Sequence, residues 1–203
     1  MTTLCHTLCI FLTLFQLPPY LASKEKPPSD SHFSILHIMI GKDNFQTVQE
    51  KIGPTKKCHT KHHDGVDVAG YADPNEVLVF EFGEIGGGDV TGFSLSRPSH
   101  ATECPLSPLP SRFSNLATNG GIRLGMTEQE FVKVFGDPKT KTRPDYWEYE
   151  WTLEERYTED EKKGAAAAGY TISGDTYLVG ITIEARFAKG VLQYFYISKL
   201  ETT

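Results

Sequence analysis

Residues 121–139 read GIRLGMTEQEFVKVFGDPK, and this stretch decides the fold. Thr127 is placed to cap a helix, and Glu130 three residues later closes a capping box, so that backbone N–H groups of the first turn find partners. Phe131, Val134 and Phe135 recur at helical spacing and make one apolar stripe. Gly136 supplies the left-handed residue that ends a helix, and Pro138 prevents continuation. The stripe has to be buried, and the strands that follow offer an apolar face for it.

The stretch has an earlier echo in residues 38–56, IMIGKDNFQTVQEKIGPTK. Gly41 matches Gly125, and Gly53 matches Gly136 after a one-residue gap. Asp43 with Gln46 repeats the capping logic of Thr127 with Glu130, and Phe45, Val48 and Ile52 repeat the stripe. The strands downstream echo too: Leu78–Phe82 aligns with Ile183–Phe187, and Val90–Ser96 with Leu192–Ser198. Three matched elements in one order read as an internal duplication.

Gly125-Met126-Thr127, Phe131, Gly136-x-Pro138 and Trp147-x-Tyr149 together resemble the small outer-membrane-assembly lipoproteins of the SmpA/OmlA type. Two such units in tandem resemble the secreted β-lactamase inhibitor protein family, whose closing hairpin is similar to Phe187-x-x-Gly190-Val191-Leu192-Gln193. The resemblance spans Phe33 to Leu200. It implies an α+β fold of two tandem helix–helix–antiparallel-sheet repeats, with a short helix within Phe33–Ile40 and another within Phe113–Leu124. It also implies a concave aromatic sheet surface presented to a target enzyme, although this chain carries aromatics there in one half only. The family holds a disulfide within each repeat; the second repeat here has no cysteine and must rest on packing.

The organisation that follows is a signal peptide over 1–23, a linker over 24–32, a first repeat over 33–98, an inter-repeat linker over 99–112 and a second repeat over 113–203. Leu8–Leu17 is nearly all apolar, Pro18-Pro19 breaks it, and Leu21-Ala22-Ser23 fits a cleavage site, though the leading residues hold no Lys or Arg. That run is too short to span a bilayer permanently, so the expected location is periplasmic or secreted, without a permanent membrane anchor. Once Cys5 and Cys9 leave with the signal peptide, Cys58 and Cys104 are the cysteines that remain, and in an exported chain they pair. The formal net charge of −6 argues against a phosphate-backbone partner, and no nucleic acid is expected.

The chemistry-bearing clusters read as structure. Cys58, His59, His62, His63 and Asp64 match no standard metal spacing, so no metal and no cofactor is expected. No Gly-x-Ser-x-Gly elbow occurs. Glu148, Glu150 and Glu154 read as a solvated strand face rather than paired glycosidic acids, and Gly86-Gly87-Gly88 as a turn rather than a phosphate loop. No catalytic residue is assigned, and no enzyme is expected.

Alternation assigns the faces of the strands. Trp147, Tyr149 and Trp151, with Val179, Ile181, Ile183, Ala185 and Phe187, and with Phe195 and Ile197, share the core side. Tyr194 and Tyr196 then lie on the opposite side, flanked by Glu184 and Arg186, where the first half has Gly92 and Ser94. These four residues are the expected binding site. The expected function is non-catalytic binding of another protein in the cell envelope or the secreted fraction. The resemblance adds two alternatives, inhibition of a secreted hydrolase such as a β-lactamase and a role in envelope assembly.

Overall fold

The computed structural model describes residues 27–60, 66–83, 88–98, 104–167, 169, 171–172 and 174–202. Its chain order is a 3-10 turn (Asp30–Phe33), β1 (Ser34–Ile35), β2 (Ile38–Met39), α1 (Phe45–Lys51), β3 (Cys58–His59), β4 (Asp67–Ala72), β5 (Val77–Phe82), β6 (Val90–Ser96), β7 (Leu106–Pro108), α2 (Glu128–Phe135), β8 (Thr140–Arg143), β9 (Tyr146–Arg156), α3 (Glu159–Ala167), β10 (Thr176–Ala188) and β11 (Val191–Thr202). The signal peptide and the Lys24–Lys26 part of the first linker lie outside the described residues.

The architecture is one large sheet in the order β3-β4-β5-β6-β11-β10-β9-β8, antiparallel throughout, with β7 added parallel to β4. Two tandem helix–helix–sheet repeats do not form. Strand outweighs helix by 46% to 18% among the described residues. The two helices expected at Phe33–Ile40 and Phe113–Leu124 are replaced by turns. In the first, Leu36 and His37 both take positive φ (51° and 62°) and close a tight hairpin between β1 and β2. In the second, Asn115 takes φ 56°, Gly121 φ 87°, and Thr118 bonds the backbone N–H of Ile122 through its hydroxyl, so the chain folds back instead of coiling. Adjacent Gly120 and Gly121 favour that outcome, because glycine loses most entropy in a helix.

The matched stretches nevertheless meet in space. Shifted by their common spacing, Phe93 falls on Phe195 and Leu95 on Ile197. The register at the β6–β11 seam pairs Phe93 with Ile197 and Leu95 with Phe195, which makes the seam locally two-fold about the Ser94–Tyr196 pair. Gly41 and Gly125 carry positive φ and donate their N–H groups to Val90 O and Leu192 O, each at 2.8 Å. Each half therefore supplies one core-facing helix, α1 or α2, and a four-strand antiparallel run, β3–β6 or β8–β11, to a shared sheet.

Both of those helices lie on one face. In α2 the capping box forms as expected, with Thr127 and Glu130 bonding each other's backbone N–H. In α1 the cap is Asn44, whose side chain accepts from Thr47 N, rather than Asp43. Asp43 instead accepts from Met39 N and pairs with Lys51 at 3.1 Å. Phe131 is fully buried, with ring centroids of Phe135, Tyr149, Phe187 and Phe195 within 4.8–6.0 Å. Trp147, Tyr149 and Trp151 face the same core, as alternation requires. The polar stretch after β9 becomes α3, which buries none of its residues.

Cys58 and Cys104 form a disulfide with Cα atoms 5.8 Å apart. It ties the start of β3 to the segment that runs into β7. His62, His63 and Asp64, and the turn residues Gly86 and Gly87, lie outside the described residues.

Candidate functional site

Helices α1 and α2 lie on one side of the sheet, and among the described residues no helix lies on the other, toward which the even-numbered residues of β9, β10 and β11 look. The register sets them in rows. Tyr146 stands opposite Arg186, and Arg186 opposite Tyr194, which in turn stands opposite Ser96. The next row runs Glu148, Glu184, Tyr196, Ser94, Val79. All four residues expected at the site, Tyr194, Tyr196, Glu184 and Arg186, therefore share this face, and each is partly buried.

Their contacts are specific. The Tyr196 hydroxyl donates to Glu81 Oε2 at 2.8 Å, reaching across the seam between the two halves. The Tyr146 hydroxyl is hydrogen-bonded to Glu184, and Thr142 donates its hydroxyl to Glu148 Oε2 at 2.9 Å. Arg186 does not border the tyrosines but sits among them. Its guanidinium is 5.0 Å from the Tyr146 ring centroid and 5.1 Å from that of Tyr194. Its Nε is buried and has no hydrogen-bond partner among the described residues.

Burial pushes the phenols of Tyr194 and Tyr196 well above the ordinary tyrosine range. Glu184 adds to the shift at Tyr194, and Glu81 adds to it at Tyr196. The hydroxyls therefore remain protonated donors under any physiological condition. With Glu81, Glu148, Glu150, Glu154 and Glu184 against Arg143, Arg156 and Arg186, the face is acidic overall. Glu148 and Glu184 stand directly opposite each other in register, an arrangement of like charges that weakens a strand pair.

Sequence reasoning missed the apolar part of the site. Leu178 and Leu200 are the large hydrophobic side chains left exposed among the described residues, at 49% and 52%. Both point outward, on the same face as Tyr194 and Tyr196, with Leu200 opposite Gly180. Leu178 was legible as an even-numbered residue of β10. Leu200 lay past the expected end of the last strand at Ser198, whereas β11 continues to Thr202. Alternation places Tyr146 and Glu81 on the outward face as well, but gives them no role. Their part in the site depends on cross-strand register, which a single strand's pattern does not carry.

Among the described residues no group of three or more His, Cys, Asp or Glu side chains is arranged to hold a metal ion. His59 is exposed and bonded to Asp67 at 3.2 Å. No helix among them is long and apolar enough to cross a membrane. Compared with family models, curated proteins and solved structures, the chain matches none.

Proposed function

We propose that the chain is a non-catalytic protein-binding module of the cell envelope or the secreted fraction, and that the open face of its sheet is the docking surface. One observation carries this reading. The exposed leucines, Leu178 and Leu200, and the partly buried tyrosines, Tyr194 and Tyr196, lie on one face that no helix covers among the described residues. Exposed apolar side chains set among polar and charged ones on one face are the composition of a protein-binding surface, and tyrosine is enriched where such surfaces hold their partners. The excess of carboxylates on the face commits the partner to a predominantly basic surface, since complementary charge steers association and excludes wrong partners. The Cys58–Cys104 disulfide is compatible with an oxidising compartment.

The resemblance to the inhibitor family adds two alternatives for the partner, a secreted hydrolase such as a β-lactamase and an envelope-assembly component. Inhibition of a purified β-lactamase by the purified protein tests the first.

The docking surface itself is tested by comparative capture from envelope and secreted fractions. The baits are the wild type, a Leu178→Ser/Leu200→Ser double variant, and a Lys163→Ser control on α3. A partner retained by wild type and control and lost by the double variant supports the reading, provided that its purified form binds more weakly as salt is raised. Equal retention by all three baits contradicts it.

A further inference from the structure

We propose that Arg186 is an anchor for a carboxylate side chain of the docking protein. This rests on the open face being a docking surface, and it supplies the chemistry at the centre of that surface.

The three carboxylates nearest the tyrosines are already bonded within the chain. Glu81 accepts from Tyr196, Glu148 from Thr142, and Glu184, two residues from Arg186 on the same strand, shares its bond with Tyr146. The guanidinium among them is in a different condition. Two tyrosine rings from the neighbouring strands lie beside it, at 5.0 and 5.1 Å, and its buried Nε has no hydrogen-bond partner among the described residues. Native chains rarely leave a buried donor unpaired, and such a group asks for an explanation. A structural arginine would be expected to spend that N–H on the carboxylate beside it. Here Glu184 is engaged elsewhere.

A planar guanidinium presents its donors along its edge, which matches the two oxygens of a carboxylate, and two neighbouring rings restrict its movement. Fixing the side chain in advance removes the ordering cost that weakens exposed ion pairs. The partner is thus expected to place one aspartate or glutamate over Arg186 and basic residues around it, opposite Glu81, Glu148 and Glu184. The acidic surroundings act as a filter, because an isolated anion is repelled while an acid carried among bases is not.

The test does not require the partner. Arg186 Nε–Hε is followed by NMR while two capped tripeptides are titrated, one Lys-Glu-Lys and one Lys-Gln-Lys. The expected result is a saturable shift with the glutamate peptide, half-complete at about 100 mM or below, the range of a single charge-assisted contact. The glutamine peptide is expected to show none, and in Arg186→Lys the ring signals of Tyr194, which shift with Nε–Hε in the wild type, are expected to stay in place. No saturable shift, or the same shift with both peptides, overturns the proposal.

Arg186→Met supplies a second readout. If the guanidinium is held for a ligand, replacing it with an apolar chain leaves the melting temperature within about 2 °C of wild type, because the lost ring contacts are offset by removal of the orphan donor. A fall of more than about 6 °C identifies Arg186 as a structural residue and also overturns the proposal. Failure of both arms with face-dependent capture intact rejects the anchor alone. Binding of the glutamate peptide without any face-dependent partner rejects the protein-docking reading instead.

Discussion

Replacing Phe131 with alanine tests whether α2 is held by the aromatic cluster under the sheet. The side chain is fully buried, with Phe135, Tyr149, Phe187 and Phe195 around it at centroid separations of 4.8–6.0 Å. A buried phenylalanine removes about 150–200 Å² from water, worth about 4–5 kcal/mol at roughly 25 cal/mol/Å². Phe→Ala changes in cores fall at about 3–5 kcal/mol once the residual cavity is included. The expected loss is therefore about 4 kcal/mol, a large share of the roughly 5–15 kcal/mol that holds a domain together. Phe131→Leu refills most of the volume and is expected to cost about half as much. Chemical denaturation followed by tryptophan fluorescence measures both, since Trp147 lies against this cluster at 6.5 Å from Phe131. A loss below about 1 kcal/mol for Phe131→Ala would mean that the helix stripe is not part of the core.

Other expectations follow from the same geometry. Breaking the disulfide by Cys58→Ser, across a separation of 46 residues, is expected to cost roughly 4 kcal/mol on the chain-entropy model, read as a denaturation midpoint that falls to that of the reduced wild type. Thr127→Ala removes the α2 cap and should cost about 1 kcal/mol. Hydrogen bonds from Thr127 and nearby Arg123 and Lys133 hold the Glu130 carboxyl below its ordinary value of 4.5. Its contribution is present above that value and is lost as pH falls through the lowered folded one. Glu130→Gln should flatten that acid limb of a melting-temperature profile. Leu178→Ser and Leu200→Ser should each change stability by no more than about 0.5 kcal/mol, as exposed positions do. Tyr196→Ala is a less clean probe, because it also severs the link to Glu81; Tyr196→Phe keeps the ring, removes the hydroxyl's bonds to Glu81 and Ser198 and should cost about 1.5–3 kcal/mol by denaturation, as for a bond to a charged acceptor.

What the sequence revealed and what it concealed divide along a physical line. The α2 capping box, its stripe and its glycine stop are local and appear in the fold as expected. So do the faces of β5, β6, β9, β10 and β11, because alternation is a two-residue property. The Cys58–Cys104 pairing followed from there being no other cysteines in the expected mature chain. The missing helices had no local signal against them except Gly120-Gly121. Leu36-His37 in particular is not a turn dipeptide, and tertiary packing of the flanking Ile35 and Ile38, both fully buried, holds it in the left-handed region. Fusion of the two halves into one sheet through β6 and β11 is likewise a long-range pairing that no window of sequence contains. The site was half legible for the same reason. Tyr194 and Tyr196 could be placed by parity, whereas the clamp on Arg186 needed three strands in register.

The central claim is that the open sheet face contacts another protein, and a photo-crosslinker at position 200 tests it most directly. Leu200 is half exposed at 52% and lies on β11 among the outward residues. The account predicts that illumination of the variant in its native compartment yields a discrete heterologous adduct. The adduct should weaken with added salt and be absent when the same group replaces Lys163 on α3. An adduct equally strong from position 163, or one containing only a second copy of this chain, would contradict it.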